Sequence, residues 1–317
     1  MQEILDIGVD VAKAELVIGV VAHPELAVRL PNEAVAIRHW LRSVPAGARL
    51  GVESTGPYHA LLVRLTQEAG LNVYVLNARE LFCYAKALGV RGKTDRTDAQ
   101  VIARYVHEHH ARLRRYQAGS DAQQQIDQLI RRRARLVVRR QSLLRTIQDV
   151  PDLDIEREAL VQSLQALIHT FDTRIAQLIH SEAELADVFT RLQTIPGVGV
   201  QCGAWLTSLL ERITFANEDA LVAFSGLDPR PRESGQWRGR RRLSKRGPAL
   251  LRRQLYLSAF SACRTRTFKP VYEALCARGF SSVQALVILA RKLLKIAFAV
   301  WRNKTVFDPT KLGANTA

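Results

Sequence analysis

Three short apolar runs, ILDIGVDV, ELVIGVVA and ELAVRL, follow one another within residues 4–30, parted by a few polar residues or by Pro24. Runs of this length, rich in Val, Ile and Leu and so closely spaced, read as consecutive hairpin strands rather than helices. Beyond them the period changes. Asn32 stands where it would cap a helix whose apolar positions include Val35, Ile37, Trp40 and Leu41. RLGVES reads as a fourth strand, residues 58–69 as a helix closed by Gly70, NVYVLN as a fifth strand, and 78–88 and 95–109 as helices. Hairpin strands followed by strands alternating with helices define an α/β pattern with a mixed sheet.

Asp10 interrupts the first of these strands, and a carboxylate within an apolar strand needs a partner or a metal. Glu53 ends the fourth strand, just before Ser54-Thr55-Gly56-Pro57. Asp95 and Asp98 are three residues apart at the start of a helical pattern, so both project from one face. Taken singly, Glu53 is explained as a rim charge, Thr94 or Asp95 as a helix cap, and Asp98 as a first-turn acid. Taken together, a strand acid, a strand-end acid and a helical pair are better explained as oxygen ligands for a hard divalent cation, Mg²⁺ or Mn²⁺. Two such ions clamp the attacking and leaving oxygens of a phosphoryl transfer.

Composition indicates whose phosphate that is. The 317 residues suffice for two or three domains, and their formal net charge of +16 implies a polyanion partner. Nucleic acid is favoured over a membrane surface because no Lys/Arg cluster flanks an apolar anchor. The longest apolar stretch, 285–301, is broken by Arg291, Lys292 and Lys295 and reads as a buried helix. The opening MQEILDIGVD lacks the pattern of a signal peptide, and Cys83, Cys202, Cys263 and Cys276 show no CxxC spacing. A reduced protein of the bacterial cytosol, associated with the nucleoid, is expected.

Residues 120–187 differ in kind. Ile126, Ile130, Leu136 and Leu143 are spaced as the buried stripe of one long helix; Leu160, Leu164, Leu167, Phe171, Ile175 and Leu178 form the stripe of another, with Pro151 between. A central coiled-coil hairpin follows, serving a homodimer or homotetramer contact. Arg131, Arg132, Arg133, Arg135, Arg139, Arg140 and Arg145 crowd its first helix. Without acidic partners they would repel one another, which favours a polyanion along that face over a merely solvated one. Next, TIPGVGVQCGAWLTSLL resembles the turn of a helix-hairpin-helix element, where Gly197 and Gly199 would let backbone N–H groups meet a phosphate. An ordinary glycine turn between helices is the plainer alternative.

Two other patterns mislead. ALGVRGKT, residues 87–94, fits a loosened phosphate-loop pattern, but it follows a helix rather than a strand and its first glycine is alanine; Lys93 is better placed near a nucleic-acid phosphate. His107, His109 and His110 lack matching cysteines and read as an exposed helix end rather than a zinc site. The second chemically rich segment is AFSGLDPRPRESGQWRGRRRLSKRGPALLRRQL. Ser234 lies there in a loop, followed by Arg238, Arg240, Arg241, Arg242, Lys245 and Arg246. A serine attacking a phosphodiester needs its charge offset, and guanidinium forks match phosphate oxygens. Ser244 competes for that role, although its place before the helix of Leu250, Leu251 and Leu255 suggests a cap.

GVDVAK, ESTGPY, KTDRTDA, the IPGVG turn and AFSGLDPRPRESG…SKRGPALLR, in this order, resemble the DEDD transposases and site-specific recombinases of the insertion-sequence-110 type, which include DNA invertases. The resemblance runs over nearly the whole chain, and no motif position departs from it. It implies an RNase H-like (RuvC-like) domain over 1–115 carrying Asp10, Glu53, Asp95 and Asp98, and a coiled-coil region over 116–187. It also implies a mainly helical C-terminal transposase domain over 188–302 with Ser234 as nucleophile, and a tail over 303–317. Double-stranded donor and target DNA, and a noncoding guide RNA, are the partners it implies. The expected reaction is metal-assisted strand exchange through a phosphoserine link. A metal-dependent nuclease using water, as in a junction resolvase, and a non-enzymatic architectural DNA binder are the alternatives.

Overall fold

The computed structural model describes residues 4–21, 23, 27–54, 58–90, 92, 94–231, 233, 234, 237–239 and 241–312, with the backbone alone at 233, 234, 237 and 238. Lys93 and Arg240 lie outside the described residues, as do the side chains of Ser234 and Arg238. The chain is mixed α/β and divides into two compact units, Met1–Ala118 and Gly119–Ala317.

In the first unit β1 (Asp6–Val11), β2 (Glu15–Val20) and β3 (Val28–Pro31) precede α1 (Ala34–Leu41), β4 (Arg49–Glu53), α2 (Ala60–Glu68), β5 (Asn72–Leu76), α3 (Ala78–Ala87) and α4 (Asp95–His109). The sheet order is β3-β2-β1-β4-β5, antiparallel from β3 to β1 and parallel from β1 through β4 to β5. The expected mixed sheet is therefore present. Its centre is a row of glycines: Gly19, Gly8 and Gly51 are register partners on β2, β1 and β4. With no side chains there, α4 lies directly on the sheet. A Cβ at Gly8 would sit 2.1 Å from the Ala99 carbonyl oxygen and 2.3 Å from the Ala103 nitrogen.

The other end of α4 is fixed by charge. Arg49 donates from Nε and Nη2 to the buried Asp6 carboxylate at 2.6 Å each, and His107 Nδ1 lies 2.8 Å from Asp6 Oδ2. His107, exposed at the helix end as expected, also ties that end to the start of β1. Two expectations fail nearby. Asn32 does not cap α1; Glu33 holds the cap position, while the Asn32 amide donates to the Ala12 and Tyr58 carbonyls and closes the loops beside β1 and α2. Val35 is exposed, since Ile37 and Leu41 alone complete the buried face of α1.

The second unit begins with α5 (Asp121–Thr146) and α6 (Asp154–His180), then α7 (Ala183–Gln193), α8 (Val200–Arg212) and α9 (Glu218–Ser225). Four two-residue strands follow, β6 (Pro229–Arg230), β7 (Glu233–Ser234), β8 (Trp237–Arg238) and β9 (Arg242–Leu243), then α10 (Ala249–Ala262), α11 (Lys269–Ala277) and α12 (Ser282–Arg302). The helix α12 is the axis of the core, burying Leu286, Leu289, Leu293, Leu294, Ala297 and Phe298. A reciprocal box between Ser281 and Gln284 starts it. No helix among the described residues is long and apolar enough to cross a membrane.

The α5–α6 pair is antiparallel, with Arg133 facing Asp172 and a groove of about 620 Å³ between Arg140 and the Glu158, Gln162 and His169 side. Its base joins the core of α7 to α12 through Ile126, Ile130, Ile175, Leu178 and Ile179. No residue from 131 to 167 is buried. Leu143 and Leu167 are exposed, against expectation; their neighbours Leu144 and Ile168 turn inward, because the stripe drifts around each helix along its length.

Candidate functional site

Asp10 is the half-buried exception in an otherwise buried β1. Val9 and Val52 are partners of the parallel β1–β4 pair, so Asp10 and Glu53, one residue further on, stand side by side. Strand spacing separates their backbones by about 4.8 Å. Both lie two residues beyond a glycine of the central row, which puts them on the face that α4 covers. The helix runs from His107 at Asp6, over Ala103 and Ala99 at Gly8, toward the end of β1 that bears Asp10. Asp95 and Asp98 precede Ala99 and Ile102 by one turn each and so extend the sheet-facing stripe at that end.

Thr94 is the cap of α4: its Oγ1 accepts from the Thr97 amide at 3.1 Å. Neither aspartate is needed for capping, although both profit from the positive helix terminus. Asp98 is half-buried, whereas Asp95 is exposed and 3.9 Å from Arg29 on β3. Among the described residues, no three His, Cys, Asp or Glu side chains are grouped so as to hold one ion. What this edge offers is a donor set made wholly of carboxylate oxygens, the chemistry that suits a hard divalent cation. On the outer side of α4, Tyr84 donates to Glu108 at 2.6 Å, and burial together with that carboxylate pushes its hydroxyl up to about 12.

Ser234 does not lie in an irregular loop. It is the last residue of β7 and pairs with Trp237 on β8, next to Glu233–Arg238; further down, Pro229 pairs with Leu243 and Arg230 with Arg242. The two antiparallel ladders are separate two-stranded sheets nested one inside the other in sequence; together they are called the β-arm, with Ser234 in the inner ladder. Arg241, Arg242, Lys245 and Arg246 are exposed along the returning strand and its root.

At the root, Ser244 does not cap α10; that position belongs to Pro248. The Ser244 hydroxyl instead donates to Asp228 Oδ1 across the arm, and its amide donates to the Asp228 carbonyl at 2.9 Å. Gly226 ends α9 in the left-handed conformation, and the Lys245 amide donates to its carbonyl at 3.1 Å. A Cβ at Gly247 would lie 1.9 Å from the Phe224 carbonyl oxygen. Arg252, on the first turn of α10, reaches both chain passes, donating to the carbonyls of Ser225 and Gly247. Sequence reasoning missed Asp228, Gly247 and Arg252; the signal was the pair of glycine–proline segments, SGLDP and SKRGP, that meet here.

The arginine face of α5 is only partly free. Arg131 pairs with Asp127 at 3.0 Å, and Arg133 is held by both oxygens of Asp172 at 2.5 and 3.0 Å, so these two have the acidic partners that the sequence did not reveal. Arg132, Arg135 and Arg139 are exposed. In the turn before α8, Gly197 has a φ of +91°, and a Cβ would strike Ala262 and the Ser258 carbonyl of α10. Packing thus accounts for that glycine. Gly199 is the N-cap of α8, and a Cβ there would meet open space.

A family model described as "Transposase" matches residues 7–152, and one described as "Transposase IS116/IS110/IS902 family" matches residues 189–273. The Pilin gene-inverting protein of Moraxella bovis is 28% identical over 264 residues, an alignment covering 81% of this chain and 81% of that protein. The insertion element IS900 42 kDa protein of Mycobacterium paratuberculosis is 25% identical over 95% of this chain and 96% of its own length. The insertion element IS110 43.6 kDa protein of Streptomyces coelicolor is 30% identical over 49% of this chain and 39% of its own length.

Proposed function

This chain belongs to the IS110 family of transposases, and from that premise we propose that it cuts and rejoins DNA through a covalent link to the Ser234 hydroxyl. The observation that carries the reading is the division of labour between the two matched regions. The first spans Asp10, Glu53, Asp95 and Asp98, the second spans Ser234 and the cations of its arm, and each set sits on its own compact unit. A water-using nuclease has no use for the second set.

The Ser234 Oγ attacks a DNA phosphorus, forming an Oγ–P bond as the bond to the leaving deoxyribose oxygen breaks. The hydroxyl proton is lost in the attack, and the leaving oxygen gains one. Because one phosphoester replaces another, the link keeps its bond energy, and a free DNA hydroxyl reverses the step on a new partner strand without ATP. Arg241, Arg242, Lys245 and Arg246 offset phosphate charge along the arm. Asp10, Glu53, Asp95 and Asp98 would hold Mg²⁺ or Mn²⁺, whose Lewis acidity stabilises charge on the phosphoryl oxygens. Both transposition and inversion, the act in the name of the Moraxella relative, use this one exchange.

In this reading the sheet with acids on β1 and β4 is an RNase H-type domain, and Asp10, Glu53 and Ser234 complete a site shared between copies of the chain. The α5–α6 hairpin is a coiled coil whose exposed Val138, Leu143, Ile155 and Leu167 meet a second copy in a dimer or tetramer. Its free arginines and the net charge of +16 suit a noncoding guide RNA beside donor and target DNA. Ser234→Ala tests the core of the proposal: it should abolish the covalent protein–DNA adduct and leave DNA binding intact. An adduct of undiminished yield would refute it, and cleavage by wild type without any adduct would establish the water-using nuclease instead.

A further inference from the structure

The β-arm is poorly suited to holding its own direction. Among the described residues its two ladders hold two residue pairs each, and a short two-stranded hairpin is marginal in water. Ser234 is six residues beyond Asp228, roughly 20 Å of extended chain. At that radius a swing of about 3° at the root displaces the tip by about 1 Å, and a misplacement of that size costs on the order of 100-fold in rate.

At the root, among the described residues, the Asp228–Ser244 side-chain pair joins the two chain passes. Asp228 is half-buried, its Oδ1 accepting from the Ser244 hydroxyl and its Oδ2 lying 3.5 Å from Arg230 Nε. Beneath that pair, Gly226 and Gly247 let the passes meet backbone to backbone, and Arg252 joins the carbonyls of Ser225 and Gly247. Lys245, next to Ser244, has a φ of +52°, a strained conformation for a side-chain-bearing residue that only a well-determined surrounding maintains. Backbone contacts close the root, and the Asp228–Ser244 bond adds a side-chain link across it.

We propose that Asp228 and Ser244 are positioning residues for strand cleavage, acting on the Ser234 hydroxyl through the angle of the arm without touching DNA. The inference rests on Ser234 as the attacking group. Ser244 has this task in place of the helix cap its sequence position suggested.

The test follows adduct formation by the full-length protein on a plasmid carrying its coding sequence and flanking DNA, in a bacterial host and then with purified protein. Asp228→Ala and Ser244→Ala should each slow the adduct on the order of 100-fold, with DNA affinity within about twofold of wild type. The double variant should be no slower than either single one, since both remove the same bond. Asp228→Asn and Ser244→Thr, which keep an acceptor and a hydroxyl, should restore most of the rate; a role in folding alone predicts no such split between rate and affinity. Rates near wild type for both alanine variants, or additive losses, overturn the inference. Ser234→Ala is run alongside: a silent Ser234→Ala with fully active root variants sinks the positioning role only, whereas an active Ser234→Ala removes the nucleophile and with it this inference.

Discussion

Replacing Gly8 by alanine adds one methyl group at the point where α4 rests on the sheet. Its Cβ would stand 2.1 Å from the Ala99 oxygen, 2.3 Å from the Ala103 nitrogen and 2.9 Å from the Ile102 carbonyl carbon. Non-bonded heavy atoms settle near 3.5 Å, so α4 must rise by about 1 Å or more. All three obstacles are backbone atoms, and no rotamer change relieves them. Overpacking costs typically about 1–3 kcal/mol, and an unyielding neighbour puts Gly8→Ala at the upper end. The lifted helix carries Asp95 and Asp98 away from Asp10 and Glu53, so DNA cleavage should fall on the order of 100-fold even where the variant is folded. Urea unfolding gives the first quantity, and cleavage well below the midpoint gives the second. Gly92→Ala, where a Cβ meets nothing within 4 Å, is the stability control. Ala103→Gly should not rescue Gly8→Ala, because the clash is with the helix backbone. A Gly8→Ala protein with wild-type midpoint and cleavage would refute the contact and the argument that it seats the carboxylates.

Three further outcomes are expected. Arg49→Ala strands the buried Asp6 carboxylate, left with His107 among the described residues, and should cost about 3–5 kcal/mol in denaturant titrations. On α5, Arg132→Ala, Arg135→Ala and Arg139→Ala should each lower the slope of log affinity against log salt by about 1 for random duplex DNA with unchanged stability, whereas Arg133→Ala should destabilise by releasing Asp172. Burial pushes the Cys202 thiol up from 9.0 to about 11. A folded pKa above the unfolded one gives stability that is full below pH 9 and is lost as pH rises toward 11, so wild type should lose roughly 2–3 kcal/mol more than Cys202→Ala across that window. Thiol titration at neutral pH should modify exposed Cys83 and spare Cys202.

Much of the first unit was legible because its signals are local. Apolar runs of strand length, glycine stops and the Thr94 cap are written in consecutive residues, and they gave the five strands and the helices between them. Asp10 was legible because a carboxylate breaks an apolar run. What failed depended on partners distant in sequence. Asn32 has the composition of a cap but closes two loops, Ser244 has the position of a cap but holds Asp228, and the acid that holds Arg133, Asp172, comes from another helix; Asp127, four residues before Arg131, was a local pair that the charge count passed over. The β-arm was hidden because strands of two residues among prolines and arginines carry no period-two pattern. The packing of Gly197 against α10 was not legible because that helix lies more than fifty residues away.

The central claim is that a serine, not water, opens the phosphodiester. Trapping the reaction by denaturation, digesting protein and DNA, and sequencing the modified peptide by mass spectrometry identifies the attacking atom directly. The account predicts a nucleotide phosphate on Ser234 and on no other residue. A modification at Ser244 or elsewhere, or cleaved DNA whose new phosphate ends carry no protein at all, would contradict it.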